Sequence, residues 1–128
     1  MARYSDSMAT YTGTTTGSYQ TMTGSPYSPL ASGRLKKVIL CVGGSAATAL
    51  VDGTVTVKLE SVSFGGVPVV ISTVGAGLQT APAHAPPPME LDCDVAIAVG
   101  TPINCSILMD TGSTPVTPRI RVLGVFEG

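Results

Sequence analysis

Tryptophan is absent from this 128-residue chain, and phenylalanine occurs only twice. Charge is scarce too: 12% of residues are Asp, Glu, Lys or Arg, and the formal net charge is −1. A nucleic-acid footprint needs Lys and Arg in clustered excess, so direct binding of nucleic acid is not expected. The chain has one histidine, His84, and three cysteines, Cys41, Cys93 and Cys105, none in CxxC spacing. A zinc site needs about four N/S ligands, or three and a water, and this set does not supply them. No metal or other cofactor is expected. No apolar run approaches the ~18 residues of a membrane-spanning helix, and the opening MARYSDSMATYTG has no apolar segment of the kind that marks a secretory signal.

What is present is a chain long enough for one domain with a single core. Its near-neutral charge favours association over life as a free monomer. Composition divides it in two. Residues 1–33, including TYTGTTTGSYQTMTGSPYSPLASG, are built from Thr, Ser, Gly, Tyr and Pro, with Arg3 and Asp6 as the only charges. Such a segment holds too little apolar surface to offset its chain entropy alone. Yet it carries all four tyrosines, Tyr4, Tyr11, Tyr19 and Tyr27, together with Met1, Met8 and Met22. Tyrosine joins an apolar face to a polar tip and suits interfaces. Thr and Tyr favour extended backbone. The segment is therefore expected to be an extended arm that docks on neighbouring subunits through Tyr4, Tyr11, Tyr19, Tyr27, Met8 and Met22.

Residues 34–128 read as an all-β body. In MELDCDVAIAV, Met89, Leu91, Cys93, Val95, Ile97 and Val99 alternate with Glu90, Asp92, Asp94, Ala96 and Ala98. Val55, Val57 and Leu59 alternate with Thr56, Lys58 and Glu60. Ile103, Cys105, Ile107 and Met109 share a face, as do Ile120, Val122 and Phe126. Period-2 alternation is the mark of a half-buried strand. RLKKVILCVGG (34–44) and GVPVVISTVG (66–75) lose it, and predict strands buried on both faces or meeting a partner. The turn signals GGS, VDGT, FGG, APAHAPPP, GTP and DTGSTPVTP separate the runs. Six strands follow, with 45–52 and 76–82 as candidates for two more; GSAATALVDG alternatively suits a short helical turn. The fold expected is an antiparallel β-sandwich, jelly-roll-like, with an extended N-terminal arm. GTP is expected to close a hairpin between 89–99 and 103–110. That register keeps Cys93 and Cys105 roughly 13 Å apart at ~3.3 Å per residue, beyond the ~7 Å a disulfide allows. All three cysteines then read as small core residues.

One stretch points toward catalysis. ILMDTGS, around Asp110, resembles the active-site strand and loop of retroviral-type aspartic proteases, whose two copies supply two carboxylates sharing one proton. The resemblance covers seven residues. Only 18 residues follow Asp110, with no room for a flap, and Asp-Thr-Gly-Ser is ordinary turn chemistry. Ser, His and Asp occur, but without a GxSxG elbow, and VGGSAATAL lacks the lysine of a phosphate-binding loop. No enzyme is expected. Two charged rows remain. Arg34, Lys36 and Lys37 open the body, and Glu90, Asp92 and Asp94 line a strand. Carboxylates two apart on a strand, ~6.5 Å, are loose for one calcium ion. Asp92 and Asp94 are expected instead to meet Arg34, Lys36 and Lys37 of another subunit.

The polar arm, the SPYSPLASG hinge and the β body with Gly/Pro-rich turns resemble small jelly-roll virion proteins of coat, penton or decoration type, by architecture over the whole chain. The resemblance implies a capsid structural role: copies of itself and other subunits as partners, a virion location, and a minor, vertex or decoration position, since the arm lacks the basic charge of genome-binding coat arms. The alternatives are an extracellular filament subunit joined by donation of its N-terminal strand and a small ligand-binding β-module. The body's lack of Trp and Tyr speaks against the latter for carbohydrate.

Overall fold

The computed structural model describes residues 3–13, 16–43, 54–74, 88–110 and 119–128. His84, the segments 45–52 and 76–82, and the GGS, VDGT, APAHAPPP and DTGSTPVTP turns lie wholly or mainly outside these residues. Eight strands are present among them: β1 (Arg3–Thr12), β2 (Gln20–Thr21), β3 (Gly33–Gly43), β4 (Thr54–Glu60), β5 (Val69–Val74), β6 (Met89–Ile97), β7 (Asn104–Asp110) and β8 (Arg119–Glu127). The six strands expected in the body are β3 to β8.

The strands form two antiparallel sheets, ordered β1-β8-β3-β6 and β2-β7-β4-β5. First pairs with last (β1 with β8), then β2 with β7, β3 with β6, and β4 with β5. The chain is one long antiparallel hairpin rolled into a two-layer sandwich, the jelly-roll arrangement. Between the layers, Leu35, Val38, Leu40 and Val42 of β3 join Val55, Val57 and Leu59 of β4, Ile107 and Met109 of β7, and Ile120, Val122 and Phe126 of β8.

The expected β6–β7 hairpin is not formed. β6 belongs to the first sheet and β7 to the second. The GTP segment is an arch between layers, turned at Gly100 (φ 79°), with the Thr101 amide donating to the Ala98 carbonyl at 3.0 Å. A tight Gly turn serves an arch as well as a hairpin, so only pairing elsewhere decides between them. All three cysteines are free, with Cys93 and Cys105 in different sheets. Cys105 is core, and burial pushes its thiol up to about 12. Cys93 is half-buried, and its thiol is likewise raised, by burial first and then by Asp92 and Asp94. Cys41 is not a core residue: it is half-buried and lines a depression on the outer face of the first sheet.

Irregular pairing explains the broken alternation. In β3 the register shifts between Leu35 and Lys37. The inward phase moves from Leu35 to Val38, Leu40 and Val42, leaving Ile39 and Cys41 half-buried. The strand is thus fully buried on one face only, with a bulge that inverts its pattern. In β5, Val69 and Ile71 are buried while Val70 and Ser72 are exposed, so it too is buried on one face.

The N-terminal segment is part of the sandwich. β1 pairs with β8 from Arg3↔Glu127 to Thr12↔Arg119, with a bulge between Ser7 and Ala9 that buries both Met8 and Ala9. Residues 16–27 then follow β7 as an interrupted edge. The Met22 amide donates to the Cys105 carbonyl at 3.0 Å, and Tyr27 and Ile103 exchange two bonds of 2.8 Å. Where the ladder is broken, side-chain hydroxyls complete it: Met109 N–H donates to Thr16 Oγ1 at 3.0 Å and Cys105 N–H to Ser25 Oγ at 2.9 Å. The Ser/Thr-rich composition therefore satisfies edge amides that would otherwise lack partners.

Gly124 of β8 marks a close approach. A Cβ there would lie 2.7 Å from Phe126 Cζ and 2.8 Å from Met8 Sδ. Gly124→Ala is expected to destabilise the fold by about 1–3 kcal/mol through overpacking, read as a lower urea midpoint at unchanged slope. An unchanged midpoint would refute the close packing of Met8 on β8.

Candidate functional site

The outer face of the first sheet carries most of the charge. Six of the chain's seven cations lie on its strands: Arg3, Arg34, Lys36, Lys37, Arg119 and Arg121. Because β3 and β6 are antiparallel neighbours, the basic row meets the acidic row within one chain. Arg34 pairs with the Asp94 carboxylate and donates to its backbone carbonyl at 2.8 Å. Lys36 Nζ is 3.3 Å from Asp94, and Lys37 Nζ is 3.1 Å from Glu90 and 3.7 Å from Asp92. The expected opposite-charge pairing exists, but the partner is the adjacent strand rather than another subunit. Register is the reason, since Lys37 lies directly opposite Asp92. Hydrogen bonds from Arg34 and then Lys36 hold the Asp94 carboxyl below the usual carboxylate range. The hydrogen bond to Glu90 holds Lys37 above its usual value. Exposed pairs of this kind add little stability. Their clearer effect is on β6, an edge strand, where a charged row opposes pairing with stray strands. Arg3 pairs with Glu127 at 2.9 Å.

The tyrosines and methionines assigned to a docking arm mostly face inward. Met8 and Met22 are buried. Tyr4 and Tyr27 both stack against Phe126, with ring centroids at 5.3 and 5.6 Å. Tyr11 is half-buried against the same core. Tyr19 alone among the six is exposed, with Lys58 Nζ 4.2 Å from its ring centroid. The other five serve the chain's own core, because β1 pairs beside β8 and the segment holding Met22 and Tyr27 pairs along Ile103 and Cys105.

Tyr27 donates its hydroxyl to Asp6 Oδ2 at 2.7 Å. Burial, then the hydrogen bond and charge of Asp6, raise its phenol well above the usual tyrosine value. A raised phenol contributes stability that is complete below pH ~10 and is lost as pH climbs toward the folded-state value. Tyr27→Phe is expected to cost about 1.5 kcal/mol at pH 7, as loss of a bond to a charged acceptor. It should also flatten the alkaline fall in Tm above pH ~10. Thermal melts from pH 7 to 11 test this, and parallel curves for the two proteins would refute it.

Asp110 sits exposed at the end of β7, opposite Thr54 of β4. Among the described residues, no group of three or more His, Cys, Asp or Glu is placed to hold a metal.

Two features escaped the sequence reading. The first is apolar. The segments 22–32, 61–68 and 98–103 all lie at one end of the sandwich, as the pairs Gly33↔Ile97 and Glu60↔Asn104 require. They expose Leu30 (69%), Val62 (86%), Val67 (68%) and Val99 (60%). The loops interlock: the Val99 amide donates to Ser32 Oγ at 3.0 Å, and a notch of ≈ 290 Å³ lies between Val62, Val67, Pro68 and Asn104. Their only signal in the sequence is an apolar residue set among Gly, Pro and Ser. The second is the pair Arg119 and Arg121, on the polar phase of RIRV, beside an open depression of ≈ 480 Å³.

No protein-family description matches the chain, and no curated protein matches it. Among solved structures, it is similar to a carbohydrate-binding module from Cellvibrio mixtus lichenase 5A in complex with cellotriose. Identity is 15% and the TM-score 0.41, with 96% of this chain and 90% of that chain covered. It is also similar to the structure of infectious bursal disease virus Gx strain, at 11% identity and a TM-score of 0.44, over 99% of this chain and 33% of that chain. No helix among the described residues is long and apolar enough to cross a membrane.

Proposed function

We propose that this chain is a structural subunit that assembles with copies of itself and with other subunits, as a minor, vertex or decoration protein of a virion. The observation that carries the reading is the apolar end: Leu30, Val62, Val67 and Val99, exposed on three loops that share one end of the jelly roll. Exposed apolar surface gathered in one region marks contact with another protein. A net charge of −1 puts little repulsion in the way of a second copy. The donor-strand filament is less favoured, because the strand it would lend already completes the chain's own sheet beside β8.

The test is mass in solution, by size exclusion with light scattering, across a concentration series. The full chain is expected to form closed oligomers. The variant L30S/V62T/V67T/V99T should be monomeric while keeping its circular dichroism spectrum. A full chain that stays monomeric throughout overturns self-assembly; if it also binds a glycan on an array, the ligand-binding module takes its place. Asp110→Asn should leave assembly unchanged.

A further inference from the structure

We propose that Arg119 and Arg121, with Thr10 and Thr12, form a binding site for a tetrahedral oxyanion, phosphate or sulfate. The inference is independent of the assembly reading, since the site lies on a sheet face toward the opposite end from the apolar loops.

Register assembles the site. Thr12 is the direct partner of Arg119 and Thr10 of Arg121. Both arginines are exposed, and Thr12 with them. Residues two apart on a strand lie roughly 6.7 Å apart on one face, and direct cross-strand partners have Cβ atoms about 5 Å apart. The four side chains therefore form a block small enough for one XO₄ group to touch. All four line the ≈ 480 Å³ depression, along with Cys41 and Leu123.

Charge singles out the two arginines. The outer face of the first sheet carries four acids, Glu90, Asp92, Asp94 and Glu127. Each is paired with Arg3, Arg34, Lys36 or Lys37. Arg119 and Arg121 are the cations of that face with no ion pair among the described residues, and no carboxylate lines their depression there. What the depression offers is two guanidinium forks and two hydroxyls. A planar carboxylate fills one fork, whereas a tetrahedral group presents oxygens to both forks and to the hydroxyls at once. Open to water, the site is weak and salt-sensitive.

The test is a titration of the full-length ¹⁵N-labelled chain with inorganic phosphate at low ionic strength, followed by NMR. Saturable shifts are expected at the Arg119 and Arg121 Nε–H groups and at the Thr10 and Thr12 amides. R119Q/R121Q should weaken binding roughly tenfold or more, about 1.4 kcal/mol. R121K, which keeps the charge but loses the fork, should also weaken it. R3Q removes a paired cation from the same face and should leave it unchanged. Acetate at matched ionic strength should give no saturable shift. Glycerol phosphate binding more tightly than inorganic phosphate would name an ester-borne group as the source, and the reverse order the free ion. Shifts that are absent or linear, equal for acetate, or equally reduced by R3Q, overturn the site.

Discussion

A chain cut to residues 34–128 is expected not to fold. The cut removes β1, β2 and the segment that follows β7, and with them Met8, Ala9, Met22 and Tyr27 of the core. Burying a methionine contributes about 1.5–3 kcal/mol, so Met8 and Met22 alone account for about 3–6. Whole domains are stable by only about 5–15 kcal/mol. The cut also uncovers the long edge of β8, whose partners run from Arg3↔Glu127 to Thr12↔Arg119, and leaves Phe126 without its two stacked rings. A proton–nitrogen NMR spectrum of the fragment should be collapsed, with no cooperative thermal transition. A dispersed spectrum and a sharp melt would show that the N-terminal quarter is an accessory to the fold. For the same reason, loss of oligomers on removing residues 1–33 would not isolate an assembly contact, and substitutions in the apolar loops are the cleaner test.

Phe126→Ala is expected to have the largest effect of any single side-chain substitution. Phe126 is fully buried on β8 and stacks with both Tyr4 of β1 and Tyr27. Truncating a buried phenylalanine costs about 3–5 kcal/mol, and its aromatic pairs add about 0.5–1.5 kcal/mol each. For a domain of this size that total of about 4–8 kcal/mol lowers Tm by about 15–30 °C. Tyr4→Ala should cost clearly less, because Tyr4 is only half-buried and makes one of the two stacks. A Phe126→Ala melt within a few degrees of the parent would mean that the N-terminal segment is held by its backbone ladder alone.

Where a strand is regular, its inward face can be read from the residues. Val55, Val57 and Leu59, then Cys105, Ile107 and Met109, then Ile120, Val122 and Phe126 are all core, as alternation predicts. Where a bulge intervenes, the phase inverts and the pattern fails. In β1 the inward positions run Tyr4, Asp6, Met8, then Ala9 and Tyr11, which from composition alone looks like a polar arm. In β3 the shift at Lys36 makes a strand buried on one face look apolar on both. The charged rows were legible as rows, but their pairing depends on which strand lies beside which. The apolar end was not legible at all, since Leu30, Val62, Val67 and Val99 come together only when three loops are brought to one end.

By itself, then, the order of residues determined an all-β chain, six strand positions and most inward faces. Those are properties of single strands, where side-chain period and local geometry act within a few residues. The tertiary structure decided that the Thr/Ser-rich segment belongs to the core, that GTP is an arch rather than a hairpin, and that β3 and β6 neutralise each other's charges. It also decided which cations and which apolar residues were left facing outward. These follow from pairing between strands far apart in the chain, such as β1 with β8, which no local pattern encodes because the partner of a strand edge is chosen by the whole sheet.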